Sequence, residues 1–330
     1  MSHHRPAHPL LTACVRRLAV GAGLVVGASV LVFAGTTLLP GDAADVLLSR
    51  TAGSAGGSGE QVAALRAELG LDRPWLQRYL DWAGGLLRGD LGRSLISGRP
   101  VGAVIGDRLG HTLLLAGIAI ALLVPLAVGL GIGSALRAGG RGDRAVSVSA
   151  IGLQALPEFV VATVLIAVFA LTLRWLPPVS LVDPGTSPLA QPATLVLPVT
   201  SLLTVMAGQS IRMVRARAVA VTGADYVRVA RVHGIGERRV VWRYVLPNAL
   251  APALQLLAGS IGWLVGGVIV VEQVFAYSGI SEALLAAIES RDEPVVQALA
   301  LVMAAVTIGA YTLADLLAIT LIPKLRTGGH

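Results

Sequence analysis

The apolar positions of this chain form long unbroken runs. Six windows carry almost no charge: Leu18–Leu39, Thr112–Leu136, Ala145–Leu173, Ala193–Met213, Ala249–Phe275 and Val296–Ile322. Each is long enough to cross the hydrocarbon core of a bilayer as a helix. Pro125, Pro157 and Pro198 fall inside three of them. Membrane helices tolerate proline where neighbours satisfy the freed carbonyls, so kinks are expected there. The glycine runs GLGIG (129–133) and GWLVGG (262–267) suit close helix contact. Between the first two windows the pattern changes. Val62, Leu65 and Leu69 fall on one helical face, and Gly70 supplies a stop. A second amphipathic stretch opens at Pro74 and places Trp75, Tyr79 and Trp82 at helical spacing. Tryptophan and tyrosine favour the membrane interface, so 40–111 reads as two short helices on the outer surface. SAGGSG (54–59) reads as flexible linker.

Composition narrows the class. Of 330 residues, 55% are hydrophobic and 14% charged, which excludes disorder and weighs against an ordinary soluble domain. The net charge of +7 fits oriented loops better than nucleic-acid binding. With the N-terminus placed in the cytoplasm, the inner side receives Arg5, Arg16, Arg17, Arg137, Arg141, Arg144, eight arginines from Arg212 to Arg243, Lys324 and Arg326, against Asp143, Asp225 and Glu237. The two short outer loops carry only Arg174 and Arg291 as basic residues. This asymmetry predicts both termini inside. Cys14 stands alone and forms no intrachain disulfide. The leading MSHHRPAH reads as a mobile tail, because no carboxylate or cysteine accompanies its histidines to make a metal site. Lys324 is the only lysine and Leu325 follows it, so the chain holds no P-loop. Neither GxSxG nor HExxH occurs.

The segment ADYVRVARVHGIGERRVVWRYVLPNAL (224–250) joins the fourth and fifth windows. Read as a helix, its first half puts Tyr226, Ala230 and His233 on one side and Arg228 and Arg231 elsewhere. Gly234 breaks it, and a second helix runs toward Pro247. Two uses are open: docking in a groove of another protein, or lying on the lipid surface, which the arginines and Trp242 favour. The stretch resembles the EAA loop of ABC-importer permeases, in which EAA is followed by three residues, a glycine, and later a hydrophobic-Leu-Pro close. Arg228-Val229-Ala230 stands at the EAA, Gly234 at the glycine and Leu246-Pro247 at the Leu-Pro. Arg228 replaces the family's glutamate, and Tyr244 stands where isoleucine is usual.

The run opened by Asp225, DYVRVARVHG, is similar to the DYVRTARAKG of dipeptide, oligopeptide and nickel permeases. PGD (40–42), LGLDRPWLQRYLDW (69–82), RGDLGRSLISGRPV (88–101), LPEF (156–159), VVEQVFAYSGI (270–280) and SRDEPVV (290–296) resemble further segments of that subfamily in order. IPKLR (322–326) departs from its DPRxR. The resemblance implies an all-α membrane protein of the type I ABC importer permease fold, with six transmembrane helices. The external helical segment 40–111 follows helix 1 (18–39), a five-helix core spans 112–322, and 1–17 and 323–330 are cytoplasmic tails. Loop 214–248 would be the coupling loop. It also implies a bacterial inner-membrane subunit without catalysis of its own. Its partners would be a second related permease, two ATPases that bind ATP and magnesium, and an external binding protein. The cargo would be a dipeptide, an oligopeptide, nickel or a metallophore complex.

Three carboxylates fall in or at the ends of apolar windows, where ionisable groups suggest function. Glu272 and Asp315 stand where the subfamily is commonly acidic. Glu272, near an outer helix end, is expected to anchor an external loop or the partner permease; Asp315 is expected to pair with Arg326 or a partner. Glu158 follows Pro157 inside the third window. It reads equally as a substrate contact on the pathway or a buried hydrogen-bonding group between helices. The competing class, a proton-coupled secondary transporter using Glu158 and Asp315 as a relay, would show repeat symmetry and more spans.

Overall fold

The protein is described here by a computed structural model covering residues 9–38, 44, 46–48, 59–181, 186–249 and 267–321. Among these residues the structure is helical, and the single β-bridge joins Arg93 to Pro100. In chain order the helices are α1 (Pro9–Thr37), α2 (Gly59–Glu68), α3 (Trp75–Leu87), α4 (Val101–Ala135), α5 (Arg141–Gln154), α6 (Glu158–Leu165), α7 (Pro192–Thr222), α8 (Asp225–Val232), α9 (Glu237–Val240), α10 (267–274), α11 (Ile280–Glu289) and α12 (Glu293–Leu321). Among the described residues, four helices are long and apolar enough to cross a membrane: α1, α4, α7 and α12. A fifth crossing arises if α5 and α6 are taken together. Residues 250–266, most of the expected fifth span, lie outside the described residues, as do SAGGSG, PGD (40–42), the 1–8 tail and IPKLR.

Three helices outrun their apolar windows by more than a turn, among them α7, which runs on past Met213 to Thr222 and takes in the first residues of the loop expected over 214–248. α1 starts at Pro9 and not at Leu18, and α4 starts at Val101 and not at Thr112. Hydropathy marks only the part of a helix that lipid surrounds; intrahelical hydrogen bonds continue for as long as polar side chains find partners. In α4 they do. Arg108 pairs with Glu282 at 3.2 Å, and the His111 ring lies 3.1 Å from the Ser278 carbonyl. Residues 101–111, expected in the external segment, therefore open the second long helix.

The third window differs most from expectation. Pro157 produces no mild kink; α5 and α6 meet across it at 101°. The residue before a proline avoids the α region, and Pro157 is extended (φ −61°, ψ 145°), so α5 stops and α6 begins afresh at Glu158. Pro125 and Pro198 lie inside α4 and α7 as expected.

The chain divides into two compact units. The first comprises 1–21, 113–277 and 309–330. Its core is built around Leu115, Leu123, Leu202, Ile211, Val214 and Phe275. Glycines set its closest approaches. A Cβ on Gly131 would sit 2.7 Å from the Val214 Cβ, so this glycine of the 129–133 run packs as expected. A Cβ on Gly208 would collide with the Ala150 carbonyl, which fixes how closely α7 lies on α5.

The second unit comprises 22–112 and 278–308. Val101, Ile105, Ile280, Val295, Ala298 and Leu299 form its core. α2 half-buries Val62, Leu65 and Leu69, and it ends in a glycine cap: Gly70 has φ +68°, with the Leu71 N–H donating to the Arg66 carbonyl at 2.9 Å. α3 is tied to α1 by an aromatic cluster. Phe33 lies 5.4 Å from Tyr79 and 5.6 Å from Trp82 between ring centroids. The Tyr79 hydroxyl is 3.0 Å from that of Ser29. Of the three expected surface aromatics, Trp75 alone is largely exposed, at 59%.

Candidate functional site

Residues 223–249, which follow α7, carry the loop singled out in the sequence. α8 places Asp225 in its first turn, where a carboxylate complements the helix dipole. Val227 and Ala230 are buried, while Tyr226, Val229 and Val232 are exposed at 45%, 52% and 81%. The sequence reading put Ala230 on the presented face with Tyr226 and His233. The structure corrects this. Ala230 and Val227, three residues apart, face the chain's own core, so Tyr226, Val229 and Val232 are left exposed, with Asp225, Arg228 and Arg231 beside them and exposed His233 at the helix end. Helical spacing alone left the choice of inward side open, and burial decides it. Arg228 is exposed and makes no ion pair among the described residues.

Gly234 ends α8 with φ +77°, in the left-handed region. The Gly234 N–H donates to the Arg231 carbonyl at 2.9 Å and the Ile235 N–H to the Ala230 carbonyl at 3.2 Å. Arg231 then bridges the turn to Glu237 with bonds of 2.7 and 3.1 Å. This pairing draws the Glu237 carboxyl below its usual range and raises the Arg231 guanidinium. After α9, residues Val241–Val245 form a wide turn of π-helix, and helix resumes over 246–249. The cause is Pro247. It has no N–H for the Arg243 carbonyl, and its ring would clash there in a regular helix. Leu246 packs against the core and Pro247 is exposed.

Beside this loop α5 is clamped to α7. Arg215 donates to both oxygens of Asp143, at 2.5 and 2.7 Å, and the Gly139 N–H adds a third bond of 2.8 Å. Sequence reasoning counted these two residues only as loop charges; nothing local in sequence joins positions 72 residues apart. Next to it Arg212 donates to the Gln154 side chain at 2.9 Å. A cleft of about 560 Å³ opens there, lined by Ser147, Gln154, Gln209, Arg212 and Met213 among others.

The intramembrane carboxylates separate. Glu158 is half-buried in the first turn of α6 and faces α10: a Cβ on Gly267 would lie 3.3 Å from its Oε2. It makes no ion pair among the described residues. Glu272 is 1% exposed on α10, so its side chain is held inside this chain and is not displayed to a partner permease. Asp315 pairs with Arg17 of α1 at 2.6 Å. The expected partner, Arg326, lies outside the described residues.

Residues 127–327 match the family described as the binding-protein-dependent transport system inner membrane component. The match spans the broken α5–α6 helix, α7, the glycine turn and α12. The chain belongs to this family. The permease is also 34% identical over 326 residues to a protein named as a peptide permease in Brucella ovis, covering 96% of this chain and 99% of the relative. It is 33% identical over 319 residues to a protein named as a peptide ABC transporter permease in Sinorhizobium fredii, covering 94% and 98%. It is 34% identical over 297 residues to a glutathione transport system permease of Pectobacterium atrosepticum, covering 90% and 93%. Membership assigns the type I ABC importer permease fold and a transport role. The secondary-transporter alternative finds no support.

Proposed function

We propose that the permease forms, with a second related permease, the translocation pathway of an ATP-driven importer for small peptides. Its relatives named for peptide and glutathione transport support that cargo class over nickel. An external binding protein delivers the peptide, and two separate ATPase subunits, binding ATP and magnesium, drive the cycle. The observation that carries this reading is the loop that follows α7, 223–248: the exposed apolar side chains of Tyr226, Val229 and Val232 stand on a helix anchored by Val227 and Ala230 and ended by a left-handed glycine. An exposed apolar face rimmed by arginines marks an interaction site. Co-purification of an ATPase with the tagged permease tests it; a permease isolated without one, from cells that import the peptide, would overturn it.

Both termini are placed in the cytoplasm and 40–111 outside, because the short-loop arginines gather on one side. In a Cys14→Ser background, a cysteine at Glu60 should react with impermeant maleimide in intact cells. One at Arg238 should react only after permeabilisation. The reverse pattern would invert the topology.

Glu158, positioned by Pro157 and the bend behind it, is proposed to face the pathway. Glu158→Gln keeps the shape and removes the charge. It should change the apparent affinity for peptide by about threefold to tenfold, or ~0.7–1.4 kcal/mol, with yield and thermal stability unchanged. Lowered stability with unaltered affinity would make it a structural carboxylate instead.

A further inference from the structure

We infer that the cleft behind the glycine turn binds the phosphate headgroup of an anionic phospholipid of the cytoplasmic leaflet, and that the occupied site steadies the coupling loop. The inference rests on the topology and loop role proposed above. The cleft, about 640 Å³, is lined by Gly236, Glu237, Arg238, Arg239 and Trp242. Its one carboxylate is already used, because Glu237 is bonded twice by Arg231 across the turn. Arg238, Arg239 and the neighbouring Arg243 are exposed and make no ion pair among the described residues. With Glu237 neutralised by Arg231, the cleft keeps two uncompensated cations in its lining, Arg238 and Arg239, with Arg243 next in sequence to Trp242, and a phosphate is the complementary charge.

Trp242, exposed at 65%, stands among them. Tryptophan beside arginine is the pairing that suits the headgroup layer, with the indole at the boundary and the guanidinium on phosphate. The position fits. Arg239 precedes Ala249, where the fifth apolar window opens, by roughly 15 Å of helix, and Trp242 and Arg243 stand closer. Arginine stems span the remainder by reaching along the helix. Val240 and Val245 are fully buried, which fixes this turn on the permease core and turns its arginines outward. The loop therefore divides its surface: the apolar face of α8 meets protein, and the cationic turn after Gly234 meets lipid.

The test uses the complete transporter in nanodiscs of phosphatidylcholine, with or without phosphatidylglycerol. The part of the tryptophan emission lost in Trp242→Phe reports on the cleft. Brominated phosphatidylglycerol should quench that part more strongly than brominated phosphatidylcholine, and Arg238→Gln/Arg239→Gln should abolish the difference. Each arginine near an anionic surface contributes about fivefold in lipid partition, so the paired change is large. Phosphatidylglycerol should also raise binding-protein-stimulated ATP hydrolysis several-fold in the wild type and leave the double variant unchanged. Equal quenching by both lipids overturns the site. So does loss of ATPase pull-down by the double variant in detergent, which would give the arginines to the protein interface. Inorganic phosphate matching the effect of phosphatidylglycerol would also overturn it, in favour of a soluble anion. Quenching needs no coupled ATPase, so failure of the transport reading would show separately, as a wild type whose hydrolysis ignores the binding protein.

Discussion

Gly234→Val is expected to reach the membrane at near wild-type levels and to lose its ATPase. The glycine sits at φ +77°, and nothing lies within 4 Å of where a Cβ would stand. The cost is therefore backbone strain and not collision: about 1–2 kcal/mol for an L-residue in the left-handed region, and more for a β-branched one. Relief comes by unwinding the turn. That breaks the bonds from Gly234 and Ile235 back to α8 and pulls Arg231 away from Glu237. Tyr226, Val229 and Val232 then lose their common orientation although each is still present. Insertion depends on the apolar helices and is untouched. A graded series sharpens the test. Asparagine enters the left-handed region readily and should retain most ATPase association; alanine should fall between, and valine should be lowest. Pull-down and transport measured in parallel would show this order. Equal association across all three would detach the turn from ATPase docking.

Much of this architecture is legible in sequence because it rests on local rules. Long apolar runs locate α1, α4, α7 and α12; Val62, Leu65 and Leu69 locate a face of α2; Gly70 and Gly234 mark left-handed caps. The coupling-type loop is legible for the same reason, since its glycine and Leu-Pro act on their own backbone. What escapes is set by distant partners. Arg108 and His111 extend α4 beyond its window by bonding residues near 280. The direction Ala230 faces depends on the core beneath it. The Asp143–Arg215 clamp joins α5 to α7 with no periodicity to announce it. Tyr79 and Trp82 have the composition of interface residues, yet they pack on Phe33, because α3 lies against α1. The broken third span lies between these cases: Pro157 forecasts a disturbance, but its size depends on the packing of both halves.

Asp292→Ala should free the loop around Ser94 and cost transport heavily. SRDEPVV (290–296) is recognisable as a family segment, and the structure gives its two acids separate tasks. Asp292 is 4% exposed and accepts from the Ser94 hydroxyl and, at 3.0 Å, from the Leu95 N–H. Ser94 in turn accepts from the Ser97 N–H at 2.9 Å, so one carboxylate closes the whole 94–97 turn. Glu293 beside it holds Arg78 of α3 at 2.5 Å, and that guanidinium lies 5.9 Å from the Phe33 ring centre. Alanine at 292 removes two bonds and leaves the buried Ser94 hydroxyl and the half-buried Leu95 amide without their partner, a loss of about 2–4 kcal/mol. That exceeds what a single local turn supplies, so the loop should open while α3, still held by Glu293 and Phe33, stays docked. Proteolysis of the purified permease should then cut first near 94–98 in Asp292→Ala, with the wild type protected. Asp292→Asn, which keeps acceptor geometry at one oxygen, should fall between them. Unchanged protection in Asp292→Ala would show that the β-bridge from Arg93 to Pro100 holds the loop without the carboxylate.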